Sequence, residues 1–143
     1  MTIRQLTVFV ENRQGAMAEV TGELASHNVD LRALSMADTQ EFGVLRLMVK
    51  DVDAALAVLR EAGHIVNVTP VIAVKISDAP GRLAQALSVL DEAGINIEYL
   101  YAFLTRTEKH AYVVLRVENN DVAGEVLANA GFKLVQESDI QKL

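Results

Sequence analysis

Two short polar stretches carry the residue types that bind a small charged ligand. The first is ENRQG, which contains Asn12 and Arg13 and ends at Gly15, and the second is SDAPG, which contains Asp78 and ends at Gly81. An apolar helical pattern begins after each glycine, so several backbone N–H groups there have no partner within the helix. The positive end of a helix attracts a carboxylate, and glycine lets a ligand approach the backbone. The two stretches therefore predict sites for a small molecule that carries a carboxylate.

The two stretches belong to an internal duplication. Gly15 and Gly81 are 66 positions apart, and this offset superimposes an alternating apolar strand pattern before each glycine and an i, i+3, i+4, i+7 helical pattern after it. The segments NVDLRAL (28–34) and GINIEYL (94–100) align at the same offset. Further along, the offset grows to 68, because two extra residues fit into a hairpin turn. The chain is thus predicted to contain one structural unit twice.

Each copy predicts the order strand, helix, strand, strand, helix, strand. In the first copy, strands are predicted at 3–11, 29–38, 42–50 and 65–69 and helices at 15–27 and 51–62. In the second copy, strands are predicted at 71–77, 95–106, 110–118 and 132–137 and helices at 81–93 and 120–130. This order predicts an α+β fold of two tandem ferredoxin-like βαββαβ repeats, 1–69 and 70–143, each an antiparallel sheet with helices on one face.

Local signals mark the ends of the second helix in each copy. Asp51 and either Asn119 or Asn120 are the residue types that cap a helix N-terminus. Gly63 and Gly131 follow the same helices, where glycine readily adopts the left-handed conformation that ends a helix.

The composition excludes several classes of function. A formal net charge of −6 argues against nucleic-acid binding, which needs a basic face. The chain has no cysteine, so it can form neither a disulfide framework nor a thiolate metal site. Its three histidines, at 27, 64 and 110, lack metal-ligand spacing, and no apolar run is long enough to span a membrane. We expect a cytoplasmic protein without a metal or cofactor.

The element order and both polar stretches resemble the ACT domain family of amino-acid-binding regulatory modules. ENRQG resembles that family's E-N-R-P-G loop, with Gln14 where proline is more usual, and SDAPG resembles the D-x-P-G version of the loop. GINIEYLYA (94–102) resembles the segment that opens the family's second strand. The resemblance covers the whole chain as two tandem ACT repeats, and it implies a regulatory, non-catalytic protein that binds an amino acid.

The resemblance also places the ligand, at an interface between ACT repeats where the loop of one meets the second-strand start of another. The polar side chains at these positions are Asn12 and Asp30 in the first copy and Asp78 and Asn96 in the second. We expect Asn12 with Asn96 to form the better site, because amides can donate to a carboxylate and accept from an ammonium. Asp78 with Asp30 would repel the ligand carboxylate unless a cation or proton is present. The implied ligand-binding residues are Asn12, Arg13, Gly15, Ala16, Met17, Asp30, Asp78, Gly81, Arg82, Leu83, Asn96 and Ile97.

Several of these residues also fit a purely structural interpretation. Gly15 and Gly81 suit tight turns that start helices, and Asp78 suits an N-cap with Pro80 at the first helical position. Gly22, inside the first helix, predicts close packing against a neighbouring element, because glycine weakens a helix interior.

Three functions stay open at this point. The leading one is an amino-acid-responsive module that regulates an enzyme or other protein partner in trans, expected as a homodimer because the sheet edges need covering. The second is a structural dimerisation module without ligand binding, which Gln14 and the exchange of Asp and Asn between the copies favour. The third is a small ferredoxin-like enzyme, for which Asp30 and Asp78 are the candidate acid–base pair.

Overall fold

A computed structural model describes residues 2–38, 41–104 and 109–143, which form two compact units. The first unit is Arg4–Thr69, and the second is Pro70–Leu143 with the N-terminal residues up to Ile3. The elements up to residue 61 are β1 (Ile3–Glu11), α1 (Ala16–Ser26), β2 (Leu31–Asp38), β3 (Phe42–Val49) and α2 (Val52–Glu61). The others are β4 (Ile65–Ser77), α3 (Arg82–Glu92), β5 (Ile97–Ala102), β6 (His110–Val117), α4 (Asn120–Asn129), β7 (Lys133–Leu134) and α5 (Glu137–Lys142).

The first unit is a sheet covered by α1 and α2. Its strand order is β2, β3, β1 and the beginning of β4, and β3 runs antiparallel to both of its neighbours. Alternate residues of β1, such as Leu6 and Val8, face the helices, which contribute the fully buried Val20, Leu24 and Leu59. This segregation of apolar residues to one strand face and one helix stripe produces the core of the unit.

The second unit repeats the same construction with α3 and α4. Its strand order is β7, the end of β4, β6 and β5, again with antiparallel pairs. Ile72 and Val74 take the core positions that Leu6 and Val8 hold in the first unit, and Leu90 and Leu127 come from the two helices. The predicted pair of ferredoxin-like βαββαβ repeats is therefore confirmed.

The predicted helix ends are confirmed in both units. The side chain of Asp51 accepts a hydrogen bond from the backbone N–H of Ala54 at 3.1 Å, and Asn119 makes the equivalent bond to Val122 at 3.1 Å. Asn119 rather than Asn120 is thus the N-cap of α4.

The predicted bounds of the last strand in each copy are wrong. The strands expected at 65–69 and 71–77 are one continuous strand, β4, because the fixed φ of Pro70 is compatible with extended backbone. The strand expected at 132–137 is only the two-residue β7, and the chain then forms helix α5. A reciprocal capping box between Gln136 and Asp139 starts this helix, so local hydrogen bonds outweigh the strand pattern there.

Two further expectations need correction. Strand β5 is shorter than the predicted 95–106, since it spans Ile97–Ala102, and positions 105 and 106 lie outside the described residues. A Cβ atom added to Gly22 would meet no atom of the described residues within 4 Å, apart from its own helix and chain neighbours. The close packing predicted for Gly22 is therefore wrong.

Candidate functional site

In the first unit, the loop between β1 and α1 ends in a left-handed glycine. Gly15 has φ 86° and ψ −9° and is the N-cap of α1, which no side chain caps. The backbone N–H of Ala16 donates to the carbonyl of Arg13 at 3.3 Å, and that of Glu19 donates to the carbonyl of Gly15 at 2.9 Å. The loop therefore leads into the positive N-terminal end of an 11-residue helix, and no side-chain oxygen occupies the capping position.

The loop between β4 and α3 repeats this backbone in the second unit. Gly81 has φ 86° and ψ −8°, and the N–H groups of Arg82 and Gln85 donate to the carbonyls of Ala79 and Gly81 at 3.3 and 2.9 Å. No side chain caps α3, so the interpretation of Asp78 as an N-cap is wrong. The left-handed Gly81 occupies the N-cap position instead, three residues beyond Asp78.

The arginine of the first loop is held by two carboxylates. Arg13 donates to the carboxylate of Glu19 at 2.7 and 3.1 Å and to that of Glu11 at 3.2 Å. The hydrogen bond from Arg13, and then its charge, lower the pKa of Glu19, and the same pair raises the pKa of Arg13. The arginine predicted to hold a ligand carboxylate is thus already paired, while Asn12 is exposed beside it.

The second loop holds its arginine differently. The guanidinium of Arg82 lies 4.7 Å above the ring of Phe132, donates to the hydroxyl of Ser77 at 3.2 Å and contacts the amide oxygen of Gln85. Within the described residues, Arg82 forms no ion pair. Among the described residues its positive charge has no carboxylate partner, and it lies at the start of α3, close in sequence to the exposed Asp78.

Three apolar positions predicted for the site lie in the first turns of the two helices. Ala16 is buried, and the partly buried Met17 packs against the core of the first unit. Leu83, which aligns with Met17, is 39% exposed. The second loop thus leaves more apolar surface accessible beside its helix start than the first loop does.

Each unit also has an open cleft where its second strand begins. In the first unit, a cleft of about 440 Å³ is lined by Asn28, Asp30 and Lys50 among others. The carboxylate of Asp30 accepts from Arg32 at 2.8 Å. Asp30 therefore already has a cationic partner, Arg32, within the first unit.

The cleft of the second unit is larger, about 610 Å³, and contains the predicted Asn96, with Ile97 opening β5 directly after it. Arg116 and Glu98 line the same cleft and form an ion pair at 3.3 Å. Arg116 also donates to the carbonyl of Pro70 at 2.7 Å. Sequence reasoning missed Arg116, because its relation to Glu98 depends on the pairing of β5 with β6. Arg116 is paired with Tyr99, and Glu98 lies at a register shift of β5 that the sequence pattern does not reveal.

Within one unit, the loop and the cleft stand at opposite ends of the first helix. An 11-residue helix is about 16 Å long, so α1 separates Asn12 from Asp30 and α3 separates Asp78 from Asn96. The fold therefore does not bring the two predicted polar positions of one copy together. Each predicted site residue belongs instead to one of four places: two loops and two clefts.

Two other kinds of feature are not found among the described residues. Among residues 2–38, 41–104 and 109–143, no three histidine or acidic side chains are grouped so that they could hold a metal ion. No helix in these ranges is long and apolar enough to cross a membrane.

Comparison with known proteins relates the whole chain to one family. A family model described as an ACT domain pair matches residues 1–143. A protein of Bacteroides thetaiotaomicron with a solved structure is 38% identical, with a TM-score of 0.92 over 100% of this chain and 98% of that one. No curated protein gives a significant match.

More distant solved structures share the fold. The ligand-free regulatory subunit of aspartate kinase from Thermus thermophilus is 20% identical, with a TM-score of 0.65 over 89% of this chain and 91% of that one. The regulatory subunit of aspartate kinase from Thermus flavus is 19% identical, with a TM-score of 0.61 over 90% and 92% of the two chains.

Proposed function

The chain belongs to the family of ACT domain pairs, and from this premise we propose that it is a non-enzymatic regulatory module that binds an amino acid. The observation that carries the proposal is the repeated loop, which presents an uncapped helix N-terminus at a left-handed glycine in both units. Free N–H groups and the helix dipole favour the α-carboxylate of an amino acid at this position. The relation to aspartate kinase regulatory subunits supports a regulatory role through the shared fold.

We assign the better amino-acid site to Asn12 and Asn96 and a weaker one to Asp78 and Asp30. An amide can serve both charged groups of the ligand, whereas an aspartate repels its carboxylate. The guanidinium of Arg82, which forms no ion pair within the described residues, gives the second loop a separate cation for holding a carboxylate. The chain segments 1–69 and 70–143 are the two ACT repeats of this proposal.

The output of the module acts on a separate enzyme or protein partner, within the cytoplasm. A bound amino acid can shift the arrangement of the protein only by its difference in affinity for the two arrangements. The ligand therefore acts as a signal and not as a substrate. A structural module that binds no ligand is the competing function, and the same experiment separates the two.

The test is a thermal-shift screen against individual amino acids, followed by calorimetry on each hit. A ligand at about a hundred times its Kd adds roughly 2.7 kcal/mol, which raises the Tm of a chain of this size by several degrees. We expect Asn12→Ala and Asn96→Ala each to weaken binding of the hit, and the exposed Asn67→Ala to serve as the matched control. A ligand affinity that is unchanged in Asn12→Ala but abolished in Asp78→Ala contradicts the assignment.

We further propose that the chain forms a homodimer through the outer edge of β2, which pairs with β3 on its other side. The sequence of this strand, RALSMAD (32–38), is nearly self-complementary in an antiparallel register centred on Ser35. Such a register places Leu34 opposite Met36 of the second copy, and both side chains are about 40% exposed. Apolar pairs that face each other stabilise antiparallel strands. Arg32 does not contribute to this pairing, because it lies at a register shift of β2 and its side chain is paired with Asp30.

The chain has no cysteine, so one introduced cysteine tests this register without background. Directly opposed residues of an antiparallel pair lie about 4.5–5.5 Å apart, within reach of a disulfide. Under mild oxidation, Ser35→Cys is expected to form a covalent dimer faster than Ala102→Cys, the control on the edge strand of the second unit. Equal and slow cross-linking of both variants in a chain that sediments as a monomer contradicts the interface.

A further inference from the structure

Three of the five lysines of this acidic chain line one small cavity in the second unit. The cavity has a volume of about 180 Å³, and Lys75, Lys133 and Lys142 contribute to its wall together with Tyr112. None of the three lysines forms an ion pair with a carboxylate of the described residues. The chain has 19 acidic residues and only 13 Lys and Arg residues, so carboxylates are available elsewhere to pair with these lysines. The grouping of three lysines around one cavity therefore needs an explanation.

The strand register brings two of these lysines directly opposite each other. Lys75 of β4 pairs with Lys133 of β7 on one side and with Tyr112 of β6 on the other. Directly paired residues share a face of the sheet, and like charges in that position destabilise the pair. Because Val74 faces the helices α3 and α4, its neighbour Lys75 faces the opposite side of the sheet.

Helix α5 forms the wall of the cavity next to these strand residues. Its Ile140 is only 3% exposed, and its Lys142 brings the third ammonium group to the cavity. The carboxylate of Asp139 also lines the cavity, but one of its oxygens accepts from the backbone N–H of Gln136 at 2.9 Å as part of the helix cap. Three lysines and the phenol of Tyr112 therefore line the cavity together with the carboxylate of Asp139, which is engaged in the cap, and with Leu143, whose terminal carboxylate is a second acidic group there.

We propose that this cavity is a binding site for a small oxyanion of the phosphate type, independent of the amino-acid site. Ammonium groups bind phosphate as point charges, and the phenol of Tyr112 can donate a hydrogen bond to an anionic oxygen. The volume suits one phosphate group and excludes a nucleotide as a whole. The bound anion is either free inorganic phosphate or the phosphoryl group of a larger metabolite that extends into solvent.

The test uses the full chain and compares sodium phosphate with sodium chloride at equal ionic strength. We expect saturable 1:1 binding of inorganic phosphate in calorimetry and a Tm that rises with phosphate concentration. Lys133→Met keeps the apolar stem and removes one of three charges, so it should weaken phosphate binding about tenfold. Without phosphate, the same variant should melt at or above the wild-type temperature, because the repulsion between Lys75 and Lys133 is gone.

Lys109→Met is the matched control, because it removes one exposed lysine that does not line the cavity. It should bind phosphate like the wild type. Lys142→Met provides a second test on α5, with a similar loss of affinity. Binding of glycerol phosphate tighter than that of inorganic phosphate identifies a phosphoryl group as the ligand, and equal or weaker binding identifies the free anion. Absence of saturable phosphate binding, or binding that is equal in Lys133→Met and Lys109→Met, overturns the proposal.

Discussion

The two strand-to-helix loops share one backbone but differ in what their side chains leave available. Gly15 and Gly81 agree within a degree in both dihedral angles, and equivalent N–H groups donate at equal distances. In the first loop, however, Arg13 is occupied by Glu11 and Glu19, whereas Arg82 in the second loop has no acidic partner within the described residues. The duplicated loops thus keep the same backbone conformation, while the charges around them differ.

The helix N-terminus is common to both loops, whereas the charged side chains beside it differ between them. The helix N-terminus supplies the same attraction for an anion in both loops. Any difference between the loops in affinity for an anion must then come from the side chains. These are the amide of Asn12 on the first loop, and the negative Asp78 and positive Arg82 on the second. We therefore expect the two cores to respond alike to matched substitutions and the two loops to respond differently.

The largest expected effect concerns the cores. Leu24→Ala and Leu90→Ala remove equivalent side chains, each at most 1% exposed, and each should lower the free energy of unfolding by about 2–5 kcal/mol. Urea denaturation followed by circular dichroism measures both. Costs that differ by more than about 2 kcal/mol would show that the cores are not equivalent.

A smaller effect is expected at the loop glycines. A side chain in the left-handed conformation costs about 1–2 kcal/mol, so Gly15→Ala and Gly81→Ala should destabilise the protein by this amount and by similar margins. Gly22→Ala is the control, and it should stabilise the chain by about 0.5–1 kcal/mol, because this position is helical and has open space. A neutral Gly81→Ala beside a costly Gly15→Ala would mean that the two loops do not share one backbone.

The arginines should distinguish the two loops. Arg82→Gln removes a cation from the face of Phe132 and should cost about 0.5–1 kcal/mol, whereas Arg13→Gln breaks only exposed ion pairs and should change the free energy of unfolding little. Any amino acid held by the second loop should bind more weakly to Arg82→Gln than to Arg13→Gln. Calorimetry on both variants makes this comparison, and the reverse order of ligand affinities would contradict it.

The smallest effect is a pH dependence confined to the first loop. Arg13 lowers the pKa of Glu19, so the stabilisation is present above the ordinary pKa of 4.5 and is lost as the pH falls through the lowered value. The Tm difference between wild type and Glu19→Gln should therefore shrink at acid pH, from about a degree or less at neutral pH. Gln85→Ala, at the matching position of the second loop, should differ from wild type equally at both pH values.

Much of this architecture could be predicted because it rests on local signals. The duplication, the element order and the cap Asp51 follow from apolar periodicity and residue type, which act over a few positions. For α4 the residue types left Asn119 and Asn120 open, and the structure selects Asn119. The two loops could also be located, since glycine before an apolar helical stripe marks a left-handed turn.

The remainder depends on contacts between distant residues. The pairing of Arg13 with Glu19, the stacking of Arg82 on Phe132 and the ion pair of Arg116 with Glu98 require the fold itself. The short helix α5 was missed because six residues carry too little periodicity to outweigh an apolar strand pattern. The lysine cavity was missed with it, because its third charge lies on that helix.

Calorimetric titration of the full chain with individual amino acids tests whether this ACT domain pair binds an amino acid through its loops. We expect saturable binding of at least one amino acid, with an affinity that falls about tenfold or more in Asn12→Ala, because hydrogen bonds to a charged ligand are lost. Asn67→Ala should leave that affinity unchanged. No saturable heat for any amino acid at millimolar concentration, from a protein that is folded and stable, would rule out amino-acid binding and favour a purely structural module.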